Sequence, residues 1–282
     1  MSSTVSIVVP AYNNAASIER TMDSILAQTY HDLEIIVADH ASTDSTWEAL
    51  QKYAADPRVT LLTTKAGGGA LANWNRVSQA ATGDFIKLVC GDDLIYPELV
   101  AEQYEALMAH PQATLTASAR DIIDANDALV AKNRGLAGLR GPVDGRAAVR
   151  QTIVSGTNIF GEPGCVMMKR ETLEKVGWWD STFPYLIDET TYSRVLFEGD
   201  FVAVPRSLAA FRISDTQWSV RLAKSQSAQA AAFHNWVFSE YPGVISRVDL
   251  VRGNLAASGM AIVRRLAYIV LKRRMSLDEK HK

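Results

Sequence analysis

The chain has 282 residues, 48% hydrophobic and 21% charged, with a formal net charge of −2, which describes a globular chain with a sizeable core rather than a disordered or fibrous one. From Arg247 to the end, nine Lys/Arg stand against three Asp/Glu, a net of +6, so residues 1–246 carry −8; an acidic body with a basic tail argues against a nucleic-acid groove. Two cysteines, Cys90 and Cys165, with no CxxC or Cys/His spacing, argue against a zinc site or a disulfide framework and make the cytoplasm the expected compartment.

"MSSTVSIVVPAYNN" lacks a basic start, its apolar run is too short for a signal peptide, and no stretch has the length of a membrane span. "TVSIVV" (4–9) reads as a strand ended by Pro10, followed by a helical pattern with Ile18, Met22, Ile25 and Leu26 on one face. "LEIIVA" (33–38) is a second buried strand, ending at Asp39, and "STWE" (45–48) has the capping-box pattern that starts a helix. "VTLLT" (59–63) is a third strand. "GGGALANWNRVSQAAT" (67–82) is a glycine turn running into a helix. "FIKLVC" (85–90) is a fourth strand, leading into the adjacent acids Asp92 and Asp93. Pro97 opens a helix that stops near "HP" (110–111), and "ATLTAS" (113–118) is a fifth strand.

Short β-branched runs alternating with helices predict an α/β fold with a mainly parallel sheet, right-handed crossovers and helices on both faces. In such sheets ligands bind beyond the carboxyl ends of the strands. Asp39, Asp92 and Asp93 all fall there. The second half changes character. "RGLAGLRGPVDG" (134–145) reads as a loop; "GEPGCVMMKRETLEKVGWW" (161–179) as loop, strand, short helix and aromatic turn. "DETTYSRVLFEG" (188–199) is a helix with Asp188 at its start, and "DFVAVPRSLAAFRI" (200–213) is an extended return to the sheet. From Ser219 onward the pattern is helical.

Adjacent carboxylates repel unless a cation or hydrogen bonds compensate. At a strand end they suit a hard divalent ion with oxygen ligands, completed by substrate phosphates. A solvated turn is the plainer reading of the pair, and a helix cap is the plainer reading of both Asp39 and Asp188.

Three stretches, in order, carry a resemblance: "VSIVVPAYNNAASIERTMDSILAQTYHDLEIIVADHASTDST", "NWNRVSQAATGDFIKLVCGDDLIYPELV" and "FGEPGCVMMKRETLEKVGWWDSTFPYLIDETTYSRVLFEGD". Together they resemble the inverting glycosyltransferases of family 2, which have the GT-A fold, over about residues 4–215. The resemblance implies a GT-A unit over 1–215, with a nucleotide-sugar half (about 1–120) and an acceptor half (about 121–215), followed by a basic helical extension over 216–282. It implies that Asp39 reads the nucleotide base, with Pro10, Ala11 and Tyr12 lining the pocket. Asp92 would lie near the ribose and diphosphate, Asp93 would ligate Mn²⁺ or Mg²⁺, and Asp188 would deprotonate the acceptor hydroxyl. Glu162, Trp178 and Trp179 would contact the acceptor, and Arg194 fits either an ion pair or the family's arginine near the site. The implied donor is a UDP- or dTDP-sugar. The implied acceptor is a glycan or a lipid-linked hydroxyl, as in bacterial cell-surface polysaccharide or glycolipid synthesis. Three positions depart from the family: His40 and Ile187 stand where acids are common, and Ser214 where many relatives have a histidine.

Two rival readings remain: "GGGALA" (67–72) fits a dinucleotide-binding turn of an oxidoreductase, and a GT-A shape can serve a non-catalytic binding protein. In the tail, a helix over 255–275 puts Arg264, Arg265, Tyr268 and Lys272 on one face and Ile262, Val263, Leu266, Ile269 and Val270 on the other. That pattern suits an anionic membrane surface at the inner face of the cell membrane. The preferred reading is that the apolar face packs on the protein's own body or on a second subunit.

Overall fold

A computed structural model of the chain describes residues 3–213 and 226–278. β1 (Val5–Ala11), β2 (Leu33–Asp39), β3 (Val59–Thr63) and β4 (Phe85–Leu88) form a parallel block in the order β3-β2-β1-β4. Every residue of β1 and β4 is buried, as is expected of parallel strands covered on both faces. The connecting helices are α1 (Ile18–Leu26), α2 (Thr46–Gln51) and α3 (Gly69–Gln79). In α1, Ile18, Thr21, Met22 and Ile25 face the sheet, the spacing of an amphipathic helix.

Beyond β4 the sheet becomes mixed. The short β5 (Leu94–Ile95) and α4 (Leu99–Ala109) follow the acidic pair. The expected fifth strand forms, as β6 (Ala113–Ile123), but does not sit beside β4. Between them lies β9 (Val166–Lys169), antiparallel to both. A strand from the second half is thereby inserted next to the acidic turn, which carries the loop before it into the site. β10 (Asp200–Arg212) then runs parallel to β6 and pairs with β5. The stretch 134–145, expected as loop alone, contains β8 (Gly141–Val143), paired with β10, and β7 (Leu129–Arg134) hairpins onto β6.

α5 (Gly145–Ser155) is capped by Asp144, whose carboxylate accepts the Ala147 N–H at 2.8 Å. α6 (Arg170–Lys175) and α7 (Ile187–Leu196) complete the body. The capping box expected at 45–48 is not made. Ser45 makes no side-chain cap bond, and the Thr46 N–H goes to Asp44 Oδ1 instead.

The tail is two helices, α8 (Gln226–Glu240) and α9 (Arg247–Asp278). Ser246 and Asp249 cap α9 reciprocally, each accepting the other's backbone N–H at 3.0–3.1 Å. α9 lies on α5 at backbone contact distance: a Cβ on Gly156 (φ +63°) would stand 2.3 Å from Ala257 N, and one on Gly253 2.6 Å from Ile153 O. Packing of the apolar face on the protein's own body, one of the expected outcomes, is not seen at Ile262 and Val263. Arg264 turns in, donating to Tyr185 Oη (3.0 Å) and Thr157 Oγ1 (2.7 Å), while Ile262 and Val263 are exposed. Small residues explain this seating, since Gly253, Ala257 and Ala261 make the buried stripe and allow the close approach that larger side chains would prevent. Ser214 lies outside the described residues, as do the side chains of Arg265, Leu266, Tyr268, Ile269, Val270 and Lys272. Among the described residues, no helix is long and apolar enough to cross a membrane.

Candidate active site

The first wall of the site is the pair of strand ends β1 and β2, aligned Ala11 to Asp39. Asn73 of α3 locks them, donating to the carbonyls of Ala11 (3.3 Å) and Ala38 (3.0 Å). The loops after the two strands are laced together: the Asn13 N–H donates to Ser42 Oγ, the Thr43 N–H to Asn13 Oδ1 and the Asn14 N–H to Thr46 Oγ1, at 2.7–3.0 Å. Asp39 is buried. Its Oδ2 accepts the Ser42 N–H (3.0 Å), whereas its Oδ1 has no hydrogen-bond partner among the described residues. A buried carboxylate oxygen left open is costly unless a ligand supplies a donor. Pro10 and Ala11 are buried beside it and Tyr12, 55% exposed, stands at the rim with its ring 6.0 Å from that of His40. His40 Nε2 is 2.8 Å from Gly67 O, which ties the glycine turn to the same wall.

The second wall is the acidic turn at the end of β4, the neighbour of β1. Gly91 is required there, because a Cβ would come within 2.6 Å of Asn14 Oδ1. Asp93 is 3% exposed; its Oδ1 accepts the Arg212 N–H (3.1 Å) and its carbonyl accepts Thr21 Oγ1 (2.8 Å). Arg212 Nε also donates to the Asp92 carbonyl at 2.8 Å, so the end of β10 grips the turn at two points. Burial first, then the charge of Asp92, pushes the Asp93 carboxyl well above the usual carboxylate range.

That strain is the test of whether a cation fits. Ligand atoms of Cys90, Asp92 and Asp93 lie within 4.8 Å of one another. Burial, and next the charges of Asp93 and Asp92, hold the Cys90 thiol well above its ordinary pKa, so it stays protonated and is a poor ligand. What is left is a pair of carboxylates at a strand end, the donor set that Mg²⁺ or Mn²⁺ takes, and the residues fit such an ion.

Asp188 and Glu162 belong to the same neighbourhood, since their charges and those of Asp92 and Asp93 all act on Cys90. Asp188 sits in the first turn of α7; its Oδ1 accepts the Glu189 N–H (2.8 Å) and its Oδ2 accepts from Asn158 Nδ2 (2.9 Å). Burial pushes its pKa up to about 6, against the lowering effect of the Glu189 N–H, with the charge of Glu162 adding to the rise. Asn158 is itself fixed, because its Oδ1 accepts the N–H groups of Phe160 (3.0 Å) and Gly161 (3.2 Å). Glu162 does not stand open to an acceptor as expected. Buried Arg120 on β6 holds its carboxylate in an ion pair, with Nη2 donating to Oε1 at 3.0 Å.

The aromatic pair departs further from expectation. Trp179 is 3% exposed; its Nε1–H donates to Ser78 Oγ (2.8 Å) and its ring packs edge-on against Trp74 at 4.9 Å. It is a core residue with no face left for a sugar. Trp178 is half-buried against the same core, at φ +68°. Arg194 is structural: it pairs with Asp180 at 2.7 Å and lies over the Trp236 ring.

Asn158, Arg120 and Arg212 were not anticipated from the sequence. A charged residue inside an otherwise apolar strand is a signal that could have found Arg120 and Arg212, and Lys87 of β4 is a further case. Lys87 is fully buried and donates to the carbonyls of Gly164 (2.7 Å) and Val166 (3.0 Å), pinning the turn that follows Glu162.

Comparisons with known proteins bear on the fold and the family. EpsE of Bacillus subtilis, named as a glycosyltransferase, is 35% identical over 108 residues, 38% of this chain and 39% of that protein. Two solved structures share the fold at low identity. TarS 1–349 of S. aureus in complex with UDP-GlcNAc has a TM-score of 0.68 at 14% identity, covering 88% of this chain and 69% of that one. The mannosyltransferase PcManGT of Pyrobaculum calidifontis, in complex with GDP-Man and Mn²⁺, has a TM-score of 0.63 at 18% identity, covering 98% and 81%. These place the α/β sheet and its helices in the GT-A fold. The sequence profile of glycosyl transferase family 2 matches residues 6–177, more than half of the chain, which spans β1 to the end of α6 and includes Asp39, Asp92 and Asp93: the chain belongs to glycosyl transferase family 2.

Proposed function

We propose that this glycosyltransferase moves a sugar from a nucleotide-diphosphate sugar to a hydroxyl of a glycan or lipid-linked acceptor, in one displacement that inverts the anomeric centre. The observation that carries this reading is that Asp188, a carboxyl with its pKa pushed up to about 6, shares the neighbourhood of Cys90 with the acidic turn. The acidic pair would serve the leaving group and Asp188 the acceptor. The transferase unit is taken as residues 1–215, with its donor half up to about 120, and 216–282 as an extension. The product class remains that of cell-surface polysaccharide or glycolipid synthesis.

The open Asp39 Oδ1 is acceptor-only and matches the imide N–H of uracil or thymine. This favours a UDP- or dTDP-sugar, with Pro10, Ala11 and Tyr12 beside the base. Asp93, with Asp92 alongside, would hold Mg²⁺ or Mn²⁺; when bound, such an ion neutralises charge on the departing diphosphate. Arg212 fixes both residues of that turn. Asp188 takes the acceptor proton at Oδ1 or Oδ2, and Asn158 keeps it aimed. Its raised pKa suits it, since a base works best with a pKa near the working pH. Buried Arg120 pairs with Glu162, and the charge of Glu162 adds to the rise of the Asp188 pKa.

A thermal-shift panel of UDP-, dTDP- and GDP-sugars, each with Mg²⁺, Mn²⁺ or EDTA, tests the reading. A ligand at a hundredfold over its Kd stabilises by about 2.7 kcal/mol. Stabilisation by a UDP- or dTDP-sugar that EDTA weakens, followed by release of the nucleoside diphosphate, is expected. The absence of any nucleotide-sugar shift would refute it.

A further inference from the structure

Nine large hydrophobic side chains are exposed among the described residues, and five of them, Val248, Val251, Leu255, Ile262 and Val263, lie on α9. The spacing of Val248, Val251, Leu255 and Ile262 places them on one stripe, opposite the buried stripe of Asp249, Gly253, Ala257 and Ala261. The exposure is a consequence of how the helix is seated. Gly253 and Gly156 bring α9 against α5, and Arg264 is drawn inward by Tyr185 and Thr157, so the larger apolar residues have no protein to cover them.

The charges around the stripe say what covers it. Between Arg247 and Arg264 the one acid is Asp249, which is buried and held bidentate by Arg150 at 2.8–2.9 Å. Arg247 and Arg252 are exposed beside the stripe, and the sequence goes on with Arg265, Lys272, Arg273 and Arg274 before its next acid, Asp278. The outward face therefore offers apolar and basic groups and no ionised acid. A second copy meeting the same face through a two-fold axis would set Arg252 and its basic neighbours against themselves. An anionic bilayer supplies both complements: apolar depth for the valines, leucine and isoleucine, and negative headgroups for the arginines.

We infer that the outward face of α9 docks on an anionic lipid bilayer and holds the enzyme at the membrane surface. The docking helix is bonded to the acceptor side of the molecule, because Arg264 reaches Thr157, the residue before Asn158. A lipid-linked acceptor would thus be concentrated on the side where Asp188 stands, although the docking itself does not depend on the transfer reaction.

The test is sedimentation of the full chain with vesicles of phosphatidylcholine plus phosphatidylglycerol, and with phosphatidylcholine alone, at low and high salt. Binding to the anionic vesicles that weakens with salt is expected. Leu255→Glu and Ile262→Glu, both at exposed positions, should each lower the partition coefficient at least about tenfold, the scale of keeping one large apolar side chain in water. Arg252→Gln leaves every apolar contact in place and should lower it about fivefold. Melting temperatures of the variants should match the wild type, which distinguishes lost docking from lost folding. Full-length protein that stays in the supernatant at low salt would overturn the proposal. So would glutamate variants that bind like wild type, or a wild-type dimer in analytical ultracentrifugation that Leu255→Glu dissociates.

Discussion

Replacing Asp188 by Asn separates catalysis from architecture in one variant. The substitution is nearly isosteric and removes the group that would take the acceptor proton. Loss of general-base assistance costs about 10²–10⁴-fold in kcat, while donor affinity, set by other residues, should stay within a factor of about two. Stability should move the other way. Burial raises the Asp188 pKa from 3.8 to about 6, and at about 1.4 kcal/mol per unit the ionised form is disfavoured by roughly 3 kcal/mol. A raised carboxyl destabilises the fold above its folded pKa and not below its unfolded one. The gain from Asn is therefore largest above pH 6 and vanishes near pH 4. Asn has one oxygen to replace two, and the bond from Asn158 or that from the Glu189 N–H is lost, at about 1 kcal/mol. The net expectation is a variant more stable than wild type by about 1–2 kcal/mol at pH 7.5. Urea unfolding at several pH values and calorimetry with the nucleotide sugar measure both arms. Wild-type kcat should also fall as pH drops through 6. A variant that is less stable at pH 7.5 and binds donor poorly would show that Asp188 is a cap and refute the base assignment.

Asp93→Asn should abolish metal-stimulated transfer while raising the melting temperature, because it relieves a buried like-charge pair; unchanged turnover would exclude a metal role. Asp39→Ala should weaken nucleotide diphosphate binding by about 1.5–3 kcal/mol, the range for a hydrogen bond to a charged group, and unchanged affinity in calorimetry would exclude base reading. Asn158→Ala should lower kcat more than it raises KM and shift the acid limb of the pH profile upward, since a bond that favours the ionised Asp188 is lost; an unmoved pH profile would mean that Asn158 acts on the loop alone. Gly253→Val, buried against Ile153 O, should destabilise by about 1–3 kcal/mol through overpacking, and a neutral result in urea unfolding would show that α9 is not seated as described.

The strand ends that bring Asp39 and the 92–93 pair together were legible because their signals are local. Buried β-branched runs ending in Pro10, Asp39 and the 92–93 pair fix strand, strand end and carboxylate together, and parallel pairing brings them side by side. Around Asp188 the sequence singled out Asp188 and Glu162 but not the frame that holds them. Its parts come from three distant segments, with Arg120 on β6, Asn158 after α5 and the 163–165 turn before β9, and no periodicity links them. The insertion of antiparallel β9 between β4 and β6 is likewise a non-local event; an alternation of strands and helices predicts parallel neighbours and cannot foresee it. Trp178 and Trp179 misled for a related reason. A tryptophan near a site looks like a sugar platform, but the partners that bury Trp179, namely Trp74, Asn75 and Ser78, lie a hundred residues away. The tail failed differently. A helix forms, but Ile262 and Val263 do not pack on the body, because glycine and alanine packing at backbone distance seats the opposite face of α9.

The charge balance of the site explains why these supports are needed. Asp92, Asp93, Asp188 and Glu162 act together on the half-buried Cys90 thiol, and so many carboxylates cannot all be ionised in a poorly solvated pocket unless cations offset them. Two are built in. Arg120 neutralises Glu162 through a direct ion pair, and Arg212 stabilises the acidic turn through Asp92 O and Asp93 Oδ1. Burial raises the carboxyl pKa of Asp93 and of Asp188, and the charge of Arg212 offsets only part of the rise at Asp93. On the roles proposed above, the fold pairs Glu162 directly and leaves part of the burial cost at Asp93 and Asp188, which would gain a divalent ion and a proton during the reaction. If that division is correct, Arg120→Met should strand the Glu162 charge and push the Asp188 pKa higher still. The acid limb of the kcat profile would then move up, whereas Arg212→Met should leave that limb in place and weaken the response to metal. Acid limbs that move equally in both variants would show that the two arginines serve the pocket in common and that the division is wrong.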